Sequence, residues 1–254
     1  MAPARQRQAV DTLRARIRQM ERGERVRHRA LPFGIALLDE RLPEGGLCLG
    51  ALHEVAGGEL GAAHGAAAVL FAAGILARLE GPVLWCLKYR DLFAPALAGA
   101  GLHPDRVIYA EAGDETGVLQ AVEEGLRHGG LAGVVGETAK LPMTASRRLQ
   151  IAAEASGVPG LILRRWRSPA AAAEFGQPTA AASRWRITAQ PSSPLPAAGV
   201  GRARWRVDLV RCRGAEPFSW DLEGCDAQGR LAVPADLADR SAPAADGQRL
   251  AATG

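Results

Sequence analysis

The chain has 254 residues, 48% of them hydrophobic and 23% charged, and its 31 Lys and Arg against 27 Asp and Glu give a formal net charge of +4. At about 150 residues per domain this allows one large domain with appendages, and the apolar fraction excludes a fibrous or wholly disordered chain. No stretch reaches the ~18 charge-poor apolar residues of a membrane span, the N-terminus lacks the apolar core of a secretory signal, and Cys48, Cys86, Cys212 and Cys225 show neither CxxC spacing nor clustering. The expectation is a cytoplasmic protein with reduced thiols, no metal site and no membrane partner.

The first segment reads as a helical arm with its connector over residues 1–30. Val10, Leu13, Ile17 and Met20 recur at spacings of three and four, and Gly23 is a plausible stop. Nine arginines against Asp11, Glu21 and Glu24 leave this end at +6. The stripe is narrow enough to dock one partner and too narrow to form a domain. The chain then alternates apolar runs with helical spacings. Runs at 49–56, 82–88, 106–110, 131–137 and 160–166 are separated by helical patterns near 64–79, 91–100, 114–128 and 144–156. Apolar strands joined by helix-length crossovers require a mostly parallel sheet flanked by helices on both faces, with right-handed connections. From about residue 184 the helical spacing stops. Four alternating runs, at 184–189, 203–212, 217–222 and 230–234, predict an antiparallel extension of the same sheet. A core over 31–225 is therefore followed by a strand remnant and a flexible tail over 226–254.

The first strand-to-helix turn is where backbone amides could hold a phosphate. Here it reads AGGELGAAHGAAAV, with Gly57, Gly58, Gly61 and Gly65. A working phosphate loop needs a lysine and a hydroxyl after its last glycine. Gly65 is followed instead by Ala66 and Ala67, and eight positions separate it from Gly57, so the loop also looks longer than the motif. Losing the lysine removes a charged hydrogen bond of about 1.5–3 kcal/mol, which favours a glycine-rich turn kept for packing. No cofactor is expected, ATP with magnesium being the disfavoured alternative. Glu137, one place beyond Gly136, is weighed as a metal ligand and set against a plain surface glutamate. HExxH and GxSxG motifs are absent.

A threefold Arg-Trp-Arg stands out: Arg165-Trp166-Arg167, Arg184-Trp185-Arg186 and Arg204-Trp205-Arg206. Period-two geometry puts the indoles on one face and the arginines on the other. Two readings follow: inward tryptophans beneath a solvated arginine wall, or an arginine wall that tracks the phosphates of DNA. Residues 164–213 hold ten arginines against Glu174 and Asp208, while 91–163 carries nine acids against five bases, so basic regions flank an acidic middle.

The blocks LPFGIALLDERLPEGGLCLGALHEVAGG, RDLFAPALAGAGLHPDRVIYAEA, SRRLQIAAEASGVPGLILRRWR and PTAAASRWRIT, leading to GRARWRVDLVRCRGAEPFSW, resemble the ImuA family over about residues 31–222. The resemblance implies a RecA-like core and a non-catalytic accessory role in SOS-induced mutagenic translesion synthesis. ImuB and an error-prone replicative-type polymerase subunit are the implied partners, with RecA and single-stranded DNA as further candidates. It sets Gly65, Ala66 and Ala67 where RecA has its Walker Gly-Lys-Thr and Gly136 near the Walker aspartate. Arg211 and Arg213 match a lysine pair that in RecA filaments reaches a neighbour's nucleotide. Gly176 and Gln177, with Pro178, are similar to the start of the second DNA-binding loop. The competing classes are a DNA-dependent RecA-like ATPase with a variant loop and a SulA-like division inhibitor; the basic arm and the length count against the latter.

Overall fold

The computed structural model describes residues 29–166, 168–192, 199 and 201–235. The arm with Val10, Leu13, Ile17 and Met20, the tail beyond 235, and Arg167 lie outside the described residues. The chain enters through a small antiparallel pair, β1 (Ala30–Leu31) and β2 (Leu47–Cys48), with the one-turn helix α1 (Ala36–Asp39) between them. Then follow β3 (Leu52–Gly57), α2 (Ala62–Ala77), β4 (Val83–Leu87), α3 (Ala94–Gly99), β5 (Val107–Glu111), α4 (Glu115–His128), β6 (Gly133–Thr138), α5 (Met143–Ser156), β7 (Gly160–Arg164), α6 (Pro169–Ala173), β8 (Ser183–Gln190), β9 (Arg204–Cys212) and β10 (Phe218–Glu223).

These strands form one eight-stranded sheet in the order β10-β9-β8-β3-β7-β6-β4-β5. All pairings from β8 to β5 are parallel, and β9 and β10 add antiparallel strands beyond β8. Residues 230–234, expected as a further strand, contribute only the bridge between Ala232 and Glu223. Pro234 has no amide with which to continue the ladder, though Leu231 is buried in the core.

Local chemistry fixes the helix ends. The Asp114 carboxylate accepts the Gly117 amide at 2.7 Å to open α4. Left-handed glycines, Gly129 (φ 71°) and Gly157 (φ 76°), close α4 and α5. One face of the sheet packs on α2 and the entry segment around Phe33, Phe71, Trp85 and Trp185, and the other packs on α4 and α5 around Leu52, Val122, Leu126 and Ile162. Strands β3, β6 and β7 are buried along their whole length, as central parallel strands covered on both faces must be. No helix among the described residues is long and apolar enough to cross a membrane.

Candidate functional site

Because β3, β6 and β7 run parallel, their C-terminal ends meet at one edge, where the β3–α2 loop crosses. Two glycines let the loop run close to its neighbours. A Cβ on Gly57 would lie 2.9 Å from the His64 carbonyl carbon, and one on Gly58 would collide with Thr188 Oγ1. The Gly58 amide donates to the Ile187 carbonyl at 2.8 Å, and the Ala189 amide donates to His64 Nδ1 at 3.1 Å, so both ends of the loop are laced to β8.

Helix α2 begins at Ala62, which corrects the expected register. Gly61 precedes it at φ 139°, and Gly65 lies inside the helix, bonded to the Gly61 carbonyl. The loop is therefore no longer than the motif: from Gly57, five positions lead to Ala62, the spacing of GxxxxG. The side chains at the lysine and hydroxyl positions are then Ala63 and His64, rather than Ala66 and Ala67. Ala67 is buried in the core, facing away from the cradle. The signal lies in GGELGAAH, where two glycines, Gly61 and Gly65, each offer a register and only the helix start selects between them.

Beside the loop lies a cleft of about 650 Å³, whose walls include Gly57, Ala62, Leu92, Phe93, Leu163 and Arg165. Arg165 fills its polar corner. Its guanidinium donates through Nη1 and Nη2 to the two Asp91 oxygens at 3.0 and 2.9 Å, and through Nη1 to Glu137 Oε2 at 2.7 Å. Trp85 Nε1 donates to the other Glu137 oxygen at 2.8 Å. Burial lowers the Arg165 pKa, but Glu137 and Asp91 more than compensate and leave it raised. Arg165 is thus an internal clamp rather than part of an arginine wall. Glu137 is likewise buried and paired, which rules out the surface-glutamate reading.

A nucleotide with magnesium does not fit this donor set. Its lysine and hydroxyl positions hold Ala63 and His64, and Arg165, which lines the cleft, is already engaged by Asp91 and Glu137. The other arginine on the wall, Arg164, is committed to Glu54. A triphosphate would find no lysine in the loop and both arginines of the cleft wall already held by carboxylates. Among the described residues no group of three His, Cys, Asp or Glu is placed to hold a metal ion.

The second Arg-Trp-Arg also departs from expectation. Trp185 and Trp205 do pack inward, but Arg184 is buried rather than displayed. It donates to Glu54 Oε1 at 2.8 Å, and Arg164 Nη1 donates to Glu54 Oε2 at 2.6 Å. Glu54 is wholly buried and also accepts from Thr179 Oγ1. Phe175 covers this cluster, with the Arg184, Arg164 and Arg186 guanidinium carbons 5.0, 5.9 and 5.9 Å from its ring centroid. Burial lowers the Arg164 pKa despite Glu54. Glu54 and Phe175 carry no motif, so sequence reasoning missed both. Arg204 and Arg186 are half-buried, and Arg206 is exposed beside Asp208 at 3.2 Å.

The structure does gather another part of the expected set. Gly176 and Gln177 are exposed, and Arg184 holds the Gln177 carbonyl at 2.8 Å from below. Arg211 reaches the Thr179 and Ala181 carbonyls and Arg213 the Ala180 carbonyl, so two exposed arginines flank this loop. That arrangement offers two cations and an exposed backbone, the elements of a phosphate-tracking contact.

No protein-family model matches the chain. A crystal structure of a KaiC-like protein from Pyrococcus horikoshii OT3 is similar in fold, at TM-score 0.52 and 15% identity over 82% of this chain and 99% of that one. The shared architecture is RecA-like. Two curated relatives, Protein ImuA of Caulobacter vibrioides strains NA1000 and ATCC 19089, are each 39% identical over 243 residues, covering 91% of this chain and 99% of theirs. With near-complete coverage on both sides at that identity, the chain belongs to the ImuA family.

Proposed function

We propose that this protein is a non-catalytic accessory factor of SOS-induced mutagenic translesion DNA synthesis, an adaptor that assembles with ImuB and an error-prone polymerase subunit. Membership of the ImuA family supports the pathway. The observation that carries the non-catalytic part is the cradle: Ala63 and His64 stand at the lysine and hydroxyl positions, and the Arg165 guanidinium is closed on Asp91 and Glu137. The scaffold of a nucleotide machine is kept for its shape and outer surface.

The test is direct. Purified protein with ATP, magnesium and single-stranded DNA is expected to show no hydrolysis above the blank and no saturable nucleotide binding, while capturing ImuB equally well with and without nucleotide. Hydrolysis stimulated by DNA, or ImuB capture that requires ATP, would overturn this reading.

A further inference from the structure

The cleft beside the β3–α2 loop, at about 650 Å³, has the size of a binding pocket, which runs from roughly 300 to 1,000 Å³. Its base is core, since Val55 and Leu163 are closed to water. Its lips are not. Leu60 on the loop is 46% exposed, and Phe93, at the entry to α3, is 68% exposed. Half-buried Leu92 and Trp166 add to the apolar wall. On the α2 side Ala66 is exposed, and a Cβ on Gly65 would meet nothing within 4 Å, so a chain has room to lie in the cleft. Large apolar side chains left in water at the mouth of a concave site are the mark of a surface that a partner covers.

The charges select the occupant. Arg164 is held by Glu54, and Arg165 by Asp91 and Glu137, so an anion finds no free arginine on this wall. Glu59, next to Leu60 and also lining the cleft, is the converse. Its side chain is 72% exposed, and among the described residues no Lys or Arg lies within ion-pair distance of it; His64 Nε2 is 3.7 Å away. That ring is neutral, because its Nδ1 accepts the Ala189 amide and its proton therefore sits on Nε2. At 3.7 Å the two are also too far apart for a hydrogen bond. The lip thus offers an uncompensated carboxylate beside exposed apolar side chains.

We propose that this cleft is a protein-docking groove whose occupant is a partner segment bearing a large apolar side chain with a lysine or arginine beside it. The apolar group packs against Leu60 and Phe93, and the cation pairs with Glu59. The inference rests on the adaptor reading above and gives its partner contact a place and a chemistry. Nucleic acid fits the groove poorly, since its phosphates would approach Glu59 and find both arginines engaged. An aromatic anchor in a concavity, ringed by a charge that fixes orientation, is how a few side chains come to carry most of an interface's affinity.

ImuB, the partner in the adaptor reading, serves as the probe, titrated against the full-length protein. F93D and L60D are each expected to weaken its binding at least tenfold and E59R at least fivefold. Their thermal midpoints should hold, because all three side chains are exposed. Gly65→Phe, which fills the cleft from open space on α2, is expected to block binding without lowering the midpoint. E124R, an exposed charge reversal on α4 across the sheet, is expected to bind like wild type. A benzophenone side chain at position 93 is expected to cross-link to an ImuB peptide in which Lys or Arg adjoins a large apolar residue, and changing that basic residue to Glu should restore binding to E59R. Binding by wild type that F93D, E59R and G65F all leave intact would overturn this proposal and leave the adaptor reading standing. No binding by wild type would overturn both. Links from position 93 to a second copy of this chain, or to single-stranded DNA in place of ImuB, would also overturn the proposal, since the groove would then hold a different occupant.

Discussion

Glu54 answers for two cations at once. It is wholly buried between Arg164 and Arg184, one from each strand flanking β3. Replacing it by Gln leaves two buried guanidinium groups without a counter-charge, a loss of about 3–5 kcal/mol. Urea denaturation of E54Q is expected to show that fall in stability, whereas an R206A variant, exposed on β9, is expected to change it by no more than about 0.5 kcal/mol. His53 sets a pH dependence of definite sign. The folded site takes the neutral ring, with its pKa lowered from 6.5 to about 4, while the unfolded chain protonates near the ordinary value. Stability is therefore fully present above pH 6.5, declines as pH falls toward about 4, and levels off below that. The total decline is on the order of 3 kcal/mol. A His53→Gln variant is expected to lack this component when urea midpoints are compared between pH 7 and pH 4. The arginine triplets show why such residues were only half legible. Alternation turned Trp185 and Trp205 inward, though not Trp166, which lies half-buried beyond β7 on the cleft wall, and it cannot say whether the opposite face is covered. Arg184 lies under Phe175 between two neighbouring strands, while Arg206 stands exposed on β9.

At the level of elements, the chain's periodicities located the parallel βα units within a few residues, because buried strands and capped helices write strong local patterns. The β3–α2 turn was harder to read, since a glycine-rich run offers several registers and only the helix start decides among them. The C-terminal segment was overread as a strand for a related reason: alternation there serves to tuck Leu231 into the core without a ladder. That segment nonetheless locks against α2 through glycines. A Cβ on Gly229, at φ 72°, would lie 2.5 Å from the Gly74 carbonyl oxygen. Gly229→Ala therefore combines left-handed backbone strain with a backbone clash, and is expected to cost about 1–3 kcal/mol. Thermal unfolding should register this as a lowered midpoint, while Gly176→Ala, where a Cβ meets nothing within 4 Å, should leave it nearly unchanged.

For the whole molecule, the charges of the described residues spread over separate places: Asp91 and Glu137 close on Arg165 at the cradle, Glu123 pairs with Arg127 and Arg148 where α4 meets α5, and exposed Arg211 and Arg213 stand beside the 176–181 loop. If single-stranded DNA is bound there, removing Arg211 and Arg213 should each reduce the slope of log affinity against log salt by about 0.7, measured by fluorescence titration at several salt concentrations. An unchanged slope would remove that loop from the interface. The sheet itself is finished differently at its two margins. On one side Glu223 of β10 is already bonded to Ala232; on the other, β5 has only β4 as a strand neighbour among the described residues, and shows Ile108 and Tyr109 more than 40% exposed. An open margin invites strand pairing, and a partly occupied opposite margin discourages head-to-tail stacking. Were two copies to meet along β5, each would use up the other's open margin, so such growth would stop at a pair instead of running on into a fibre.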